Sequence, residues 1–218
     1  MTITVLVADD HAIVREGLKQ ILLHTGDIVV KAEAKNAQEV MYLVRERDWD
    51  IVLMDMSMPG RSGLDLIKQV KSEKPKLPIL ILSMHQEEQY AVRAIRAGAS
   101  GYLNKDSASE LLVSAIRKVV GGGMFVSQSA GELLARDMKG GSDVPSHTLL
   151  SDREFQVFSM IVRGKTVTDI AAELSLSVKT VSTHKTHVLE KMNLANQSEL
   201  VRYAIAHHLL DDPGSPDE

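Results

Sequence analysis

Four short apolar runs in this 218-residue chain are each followed by a group that can take part in phosphoryl chemistry. Asp9 and Asp10 follow Ile3 to Ala8, Asp55 follows Ile51 to Met54, Ser83 follows Ile79 to Leu82, and Lys105 follows Gly101 to Leu103. Taken singly, an aspartate or serine after a strand is commonly a turn or cap residue. Taken together, three carboxylates, a hydroxyl and an ammonium form a set with a purpose, provided the loops converge. Two carboxylates ~4 Å apart repel by roughly 4 kcal/mol at an effective dielectric of 20, so such a cluster calls for a cation. Hard oxygen donors with room for water and a phosphate favour Mg2+. With the metal and Lys105 neutralising charge, one carboxylate can attack phosphorus in line and keep the phosphoryl group as an acyl phosphate.

Convergence requires parallel strands, and the pattern supplies them. From Met1 to about Val120, β-branched runs, with Ile28 to Ala32 as the second, alternate with helix-period segments, which predicts a parallel sheet whose ligand crevice lies beyond the carboxyl ends of the strands. Val14, Leu18, Ile21 and Leu22 mark a first helix stopped at Gly26. Capping-box spacings open a second helix at Asn36 with Glu39, a third at Ser62 with Asp65 and a fifth at Ser107 with Glu110. In the fifth, Leu111, Leu112, Ala115, Ile116 and Val119 form the expected buried stripe. The fourth runs from about Gln86 to Ala97 and ends at Gly98. Five such units make a flavodoxin-like, doubly wound α/β domain over residues 1–122.

Composition changes at Gly121-Gly122-Gly123. Residues 123–147 read as a linker holding a helix at Ser127 to Met138 and a second break at Gly140-Gly141. Residues 148–210 read as a small four-helix domain: Ser151 and Glu154 form a capping box, followed by Phe155 to Val162, Val167 to Leu174, Val178 to Met192, and Gln197 to His208. The acidic end, 211–218, carries Pro213 and Pro216 and is expected to be disordered. Within the helical part, Asp169 to Leu174, the turn Ser175 to Ser177, and Val178 to Val181 have the spacing of a helix-turn-helix. Ser177 can cap the second helix. Val178, Val181, Val188 and Met192 are expected to face the core, while Lys179, Ser182, Thr183, Lys185 and Thr186 face outward. Lysines and hydroxyls suit phosphate contacts and groove entry, although composition alone fits a solvated polar face equally well.

Bulk properties narrow the classes. A net charge of -4 offers no general field for nucleic acid, so any DNA contact must come from a local patch. Without cysteine there is no disulfide, thiol nucleophile or thiolate zinc site. No apolar run approaches the ~20 residues that span a bilayer, and the start lacks the features of a secretion signal, so a cytoplasmic location without membrane contact is expected. Neither a phosphate-binding P-loop nor a dinucleotide fingerprint occurs, so no nucleotide cofactor is expected.

Asp9-Asp10, Asp55 with Met58-Pro59-Gly60, Ser83, and Tyr102-Leu103-Asn104-Lys105 resemble, in order, the receiver domain of two-component response regulators. The resemblance implies that Asp55 is the phosphoacceptor and Asp10 a direct Mg2+ ligand. It makes Asp9 an outer ligand through water and adds the Ser57 carbonyl to the metal site. Ser83 and Lys105 would hold the phosphoryl oxygens, and Tyr102 would be the aromatic whose rotamer reports phosphorylation. Many receivers place proline in a cis peptide after the lysine, whereas this chain has Asp106. In the helical part, Leu150-Ser151-Asp152-Arg153-Glu154, Ile170 to Leu174, Val178 to Val181, His184 and Lys191-Met192 resemble the LuxR-type DNA-binding domain. The whole chain is thus similar to the NarL/FixJ class.

That class implies a third helix in the major groove of double-stranded DNA. Ser182, Thr183 and Thr186 are the candidates for base contacts, and Lys165, Thr166, Lys179, Thr180, Lys185 and Lys191 for phosphates. Small hydroxyls are poor bidentate readers, so DNA shape and water would share the specificity. His184 aligns with a packing position. The last helix, with Leu200, Ala204, Ile205 and His208, resembles the element that pairs two DNA-bound copies as a homodimer. A sensor histidine kinase or a small acyl phosphate would be the donor, and RNA polymerase is a further candidate partner. The reading is a transcription regulator, an enzyme only in its own phosphoryl transfer and dephosphorylation. Two alternatives compete with it. One is an Asp-nucleophile phosphatase, whose Asp-x-Asp pattern fails here because Ser57 stands where the general acid belongs. The other is a DNA-binding regulator set by partners or ligands with no working phosphorylation.

Overall fold

A computed structural model describes residues 2–58, 63–84, 88–138, 146–207 and 209–210. The expected features at Pro59, Gly60, Ser62, Gln86, Gly140-Gly141, His208 and the 211–218 tail lie outside these residues. The chain divides into two compact units, Met1–Gly140 and Gly141–Glu218.

In the first unit, strands β1 (Ile3–Ala8), β2 (Ile28–Ala34), β3 (Ile51–Asp55), β4 (Ile79–Ser83) and β5 (Gly101–Asn104) alternate with α1 (Ala12–Leu23), α2 (Ala37–Glu46), α3 (Gly63–Glu73), α4 (Glu88–Arg96) and α5 (Ala108–Val120). All strand pairs are parallel, in the order β2-β1-β3-β4-β5. The central strands β3 and β4 are buried along their whole length, which is why they read as unbroken apolar runs rather than alternating ones. Val5, Val7, Leu53, Leu80 and Leu82 share one core with Leu112, Ala115, Ile116 and Val119 of α5. The order reverses between β1 and β3, and that switch point opens a crevice at their carboxyl ends.

Two expectations about α5 need correction. Leu111 is exposed, because the buried stripe Ala108, Leu112, Ala115, Ile116 and Val119 already follows the helical period and Leu111 falls beside it. Ser107 makes no side-chain cap bond. A single 3-10 turn, Lys105–Ser107, intervenes between β5 and α5, and the Asn104 side chain accepts the Asp106 N–H to cap it. The peptide after Lys105 is trans. Beyond α5 the chain stays with this unit: Tyr102 N–H donates to the Phe125 carbonyl at 2.7 Å, Phe125 N–H donates to Ser100, and α6 (Gln128–Met138) packs against α4. The first half of the glycine- and serine-rich segment therefore covers the edge of β5.

The second unit comprises α7 (Asp152–Val162), α8 (Val167–Glu173), α9 (Val178–Met192) and α10 (Gln197–Ala206), preceded by a 3-10 turn, Ser146–Leu149. Ser151 and Glu154 form the reciprocal capping box expected of α7, Thr166 and Asp169 form another at α8, and Ser177 accepts the Thr180 N–H at α9. Phe155, Phe158, Ile170, Val181, Val188 and Leu200 are fully buried between the helices. Among the described residues, no helix is long and apolar enough to cross a membrane.

Candidate phosphoacceptor pocket and nucleic-acid interface

The groups expected to meet at the sheet's carboxyl edge are brought together there in part by one side chain. Lys105 Nζ donates to Asp9 Oδ2 at 2.7 Å and lies 2.7 Å from Asp55 Oδ1. It thereby ties the ends of β1, β3 and β5, all three side chains being nearly excluded from solvent. The other Asp55 oxygen accepts the Ser57 N–H at 2.9 Å. Ser83 ends β4, opposite Asn104 in register and next to the Asp55 strand, and is buried, as is Tyr102 on β5.

Burial pushes the Asp55 carboxyl above the usual aspartate range, held back by the Lys105 ammonium and the Ser57 N–H. Burial on its own would lower the Lys105 ammonium. The hydrogen bonds to Asp55 and Asp9 outweigh it and raise the pKa, so Lys105 stays charged at neutral pH.

Asp10 lies more open at the rim, with His11 Nδ1 2.9 Å from its Oδ1, while His11 N–H donates to Asp9 Oδ1 at 2.8 Å. Among the described residues, Asp9, Asp10 and His11 are the group whose donor atoms all lie within 4.8 Å of one another. The donor chemistry fits a hard divalent cation: Asp9, Asp10 and Asp55 offer carboxylate oxygens, and their three charges exceed the single one of Lys105 by two.

Arg15 and His11 were not singled out by the sequence. Arg15 is buried on α1, where its Nη1 donates to the Asp9 carbonyl. The available signal was a cation at the i, i+3, i+7 spacing of Leu18 and Leu22, on the face that should be apolar.

In the second unit, Lys179, Ser182, Thr183 and Thr186 form an exposed strip along α9, with Thr180 and Lys185 half-buried beside it. The Thr183 and Thr186 hydroxyls donate to the carbonyls of Lys179 and Ser182, one turn back. Val178 is 49% exposed rather than in the core, because it occupies the first helical position, ahead of the turn where Val181 enters the core. Several residues marked as phosphate candidates already serve the fold. Lys191 donates to buried Glu154 at 2.6 Å, Lys165 to Glu173 at 2.5 Å and Lys185 to Gln197 at 2.8 Å, while Thr166 caps α8. His184 is half-buried, and burial with the nearby Arg153 charge lowers its pKa, favouring the neutral ring. On α10, Leu200 and Ala204 are in the core and Ile205 is 60% exposed.

Residues 5–117 match the response regulator receiver domain family, and residues 148–204 match the bacterial regulatory proteins of the luxR family. The oxygen regulatory protein NreC of Staphylococcus haemolyticus is 38% identical over 214 residues, covering 95% of this chain and 99% of its own length. Among solved structures, RcsB of Salmonella enterica serovar Typhimurium, bound to promoter P1flhDC in the presence of the phosphomimetic BeF3-, aligns with 27% identity and a TM-score of 0.67. That alignment covers 94% of this chain and all of the RcsB chain. A LuxR-family two-component response regulator from Aurantimonas aligns at 35% identity and a TM-score of 0.59 over 64% of this chain and 99% of its own.

Proposed function

The chain belongs to the response regulators that join a receiver domain to a luxR-type DNA-binding domain, and on that premise we propose that phosphorylation of Asp55 controls its sequence-specific binding to DNA. The observation that carries this reading is the Lys105 bridge, which gathers Asp9 and Asp55 from the ends of separate strands into one buried, charge-compensated site. A carboxylate held this way is oriented for in-line attack and shielded from water.

Asp9, Asp10, Asp55 and the Ser57 carbonyl would hold a Mg2+ ion, which would supply charge neutralisation for the phosphoryl oxygens. An Asp55 oxygen forms the bond to phosphorus as the bond to the donor breaks. The leaving group is the imidazole of a sensor kinase's phosphohistidine or the carboxylate of a small acyl phosphate. Lys105 then follows the negative charge from the Asp55 carboxylate to the phosphoryl group, and Ser83 donates its hydroxyl to a phosphoryl oxygen. Water attack on the acyl phosphate reverses the state, so the only chemistry is this domain's own phosphorylation and dephosphorylation.

A phosphoryl group brings up to two negative charges into a site that now pairs one lysine with two carboxylates. Lys105 and Tyr102 lie on or just after β5, whose edge is bonded to the Phe125 segment, and α6 follows on α4. These contacts link the pocket to α6, the last described element of the first unit. In the second unit, Ser182, Thr183 and Thr186 face base edges, and Lys179, Thr180 and Lys185 take phosphates. Lys165 and Lys191 reach phosphates only by leaving Glu173 and Glu154. The partners in this reading are a histidine kinase or acyl phosphate, duplex DNA, a second copy on the DNA, and RNA polymerase at the promoter, all in the cytoplasm.

Selection of genomic duplexes followed by fluorescence anisotropy, with and without a phosphodonor, tests it. Wild type should bind the selected duplex more tightly when phosphorylated, and Asp55→Asn should not respond. Equal tightening in both proteins refutes control through Asp55.

A further inference from the structure

The two adjacent aspartates of the pocket are joined by a peptide whose carbonyl is held from outside the loop. Arg15 Nη1 donates to the Asp9 carbonyl oxygen at 2.8 Å, and Arg15 Nε donates to Glu33 Oε2 on β2 at 2.8 Å, with the arginine side chain only 7% exposed. The second Glu33 oxygen accepts from Lys19, so the carboxylate that aligns the guanidinium is itself fixed. On the preceding side, Asp9 N–H donates to the Ala34 carbonyl at 3.1 Å. Because a peptide unit is planar, holding its oxygen fixes the plane and therefore the direction in which Asp10 leaves. A guanidinium suits this task because its rigid fork serves two acceptors at once, which an ammonium on a flexible stem does not reproduce. A cation on the buried stripe of α1 carries a desolvation cost that a leucine there would avoid, and its two bonds run to the pocket loop and to the strut that aims it.

We infer that Arg15 is a positioning residue for the divalent-metal site: it sets the Asp9–Asp10 peptide so that the Asp10 carboxylate faces the ion. The inference rests on the metal pocket proposed above. Charge and geometry make opposite claims here, which allows them to be separated. Removing a positive charge from the neighbourhood of an acidic cluster favours a bound cation, whereas releasing the loop disfavours it. Residues that orient metal ligands are worth about 10–100-fold in affinity.

The test is Mn2+ binding to the full-length protein, read from the electron paramagnetic resonance signal of free Mn2+ and by Mg2+ competition, with circular dichroism melts reporting folding. Arg15→Lys keeps the charge and loses the fork. Arg15→Met removes both. Both variants should bind Mn2+ and Mg2+ about 10–100-fold more weakly than wild type at a temperature where all are folded. The Mg2+ concentration for half-maximal phosphorylation by acetyl phosphate should rise, with the maximal rate recovered at saturating metal. If Arg15→Met does not fold, Arg15→Lys decides alone. Unchanged affinity in a folded Arg15→Lys, or tighter binding by Arg15→Met, overturns the inference while leaving the pocket intact. Failure of the wild type to bind either ion at this pocket overturns the pocket reading and the inference with it.

Discussion

Replacing Lys105 with methionine keeps most of the side chain's length and removes the charge that bridges Asp9 and Asp55. Both carboxylates are almost wholly buried, with side-chain exposures of 1% and 3%, and each would retain one backbone donor, His11 N–H for Asp9 and Ser57 N–H for Asp55. Removing one partner of a buried ion pair costs about 3–5 kcal/mol. For a unit of this size, one kcal/mol moves the midpoint by about 3–5 °C, so the metal-free first unit should melt about 9–25 °C lower. The sign of the pH dependence follows from the groups that remain. Without Lys105, its hydrogen bond and its charge no longer hold the Asp55 pKa down, and only the Ser57 N–H still does so, while burial and Asp9 continue to raise it. A carboxyl whose folded pKa lies above its unfolded value of about 3.9 takes up a proton more readily when folded. Its penalty is therefore complete above the folded pKa and fades as pH falls toward the unfolded value. Scanning calorimetry in chelator at pH 8 and pH 5 should show a larger gap between variant and wild type at pH 8, and saturating Mg2+ should narrow it there by mass action. An equal loss at both pH values would assign the effect to packing and refute the electrostatic reasoning.

Asp55→Asn should have the opposite effect on stability. It removes a carboxylate whose pKa burial raises, leaves Lys105 paired with Asp9, and should melt higher than metal-free wild type at pH 8, the difference closing below about pH 4. Lys179→Ala should weaken binding to every DNA sequence and lower the salt slope by about one, whereas Thr183→Ala should change preference at one position. Equal losses from both across a panel of duplexes would contradict those assignments. Lys191→Ala should destabilise the second unit by about 3 kcal/mol or less, since Glu154 is 4% exposed and Lys191 is partly open to solvent. Urea denaturation should show this, and the salt slope for DNA should move by less than it does for Lys179→Ala.

Much of the receiver was legible because its signals are local. A parallel strand buried on both faces shows as a run such as Ile51 to Met54, and the residue after the run lands at the carboxyl edge whatever the crossovers do. The spatial order β2-β1-β3-β4-β5, which puts Asp9 beside Asp55, is set by the crossovers, and no local run of residues carries it. What local pattern missed was settled at longer range. The Ser107 and Glu110 spacing fits a capping box, yet Asn104 captures the turn first. Lys191 reads as a candidate for a DNA phosphate, yet α7 brings Glu154, 37 residues earlier, within 2.6 Å of it. Arg15 falls on the apolar face of α1, and its partners, Glu33 on β2 and the Asp9 carbonyl, come from outside the helix.

The central claim is that Asp55 accepts the phosphoryl group, and chemical trapping tests it without reference to DNA. Wild type is incubated with acetyl phosphate and Mg2+, reduced with borohydride, which converts an aspartyl phosphate to homoserine, and mapped by peptide mass spectrometry. Homoserine is expected at position 55, absent when Mg2+ is withheld, and absent from Asp55→Asn. A folded wild-type protein that yields no homoserine, or yields it at Asp9 or Asp10 with Asp55 untouched, would contradict the account.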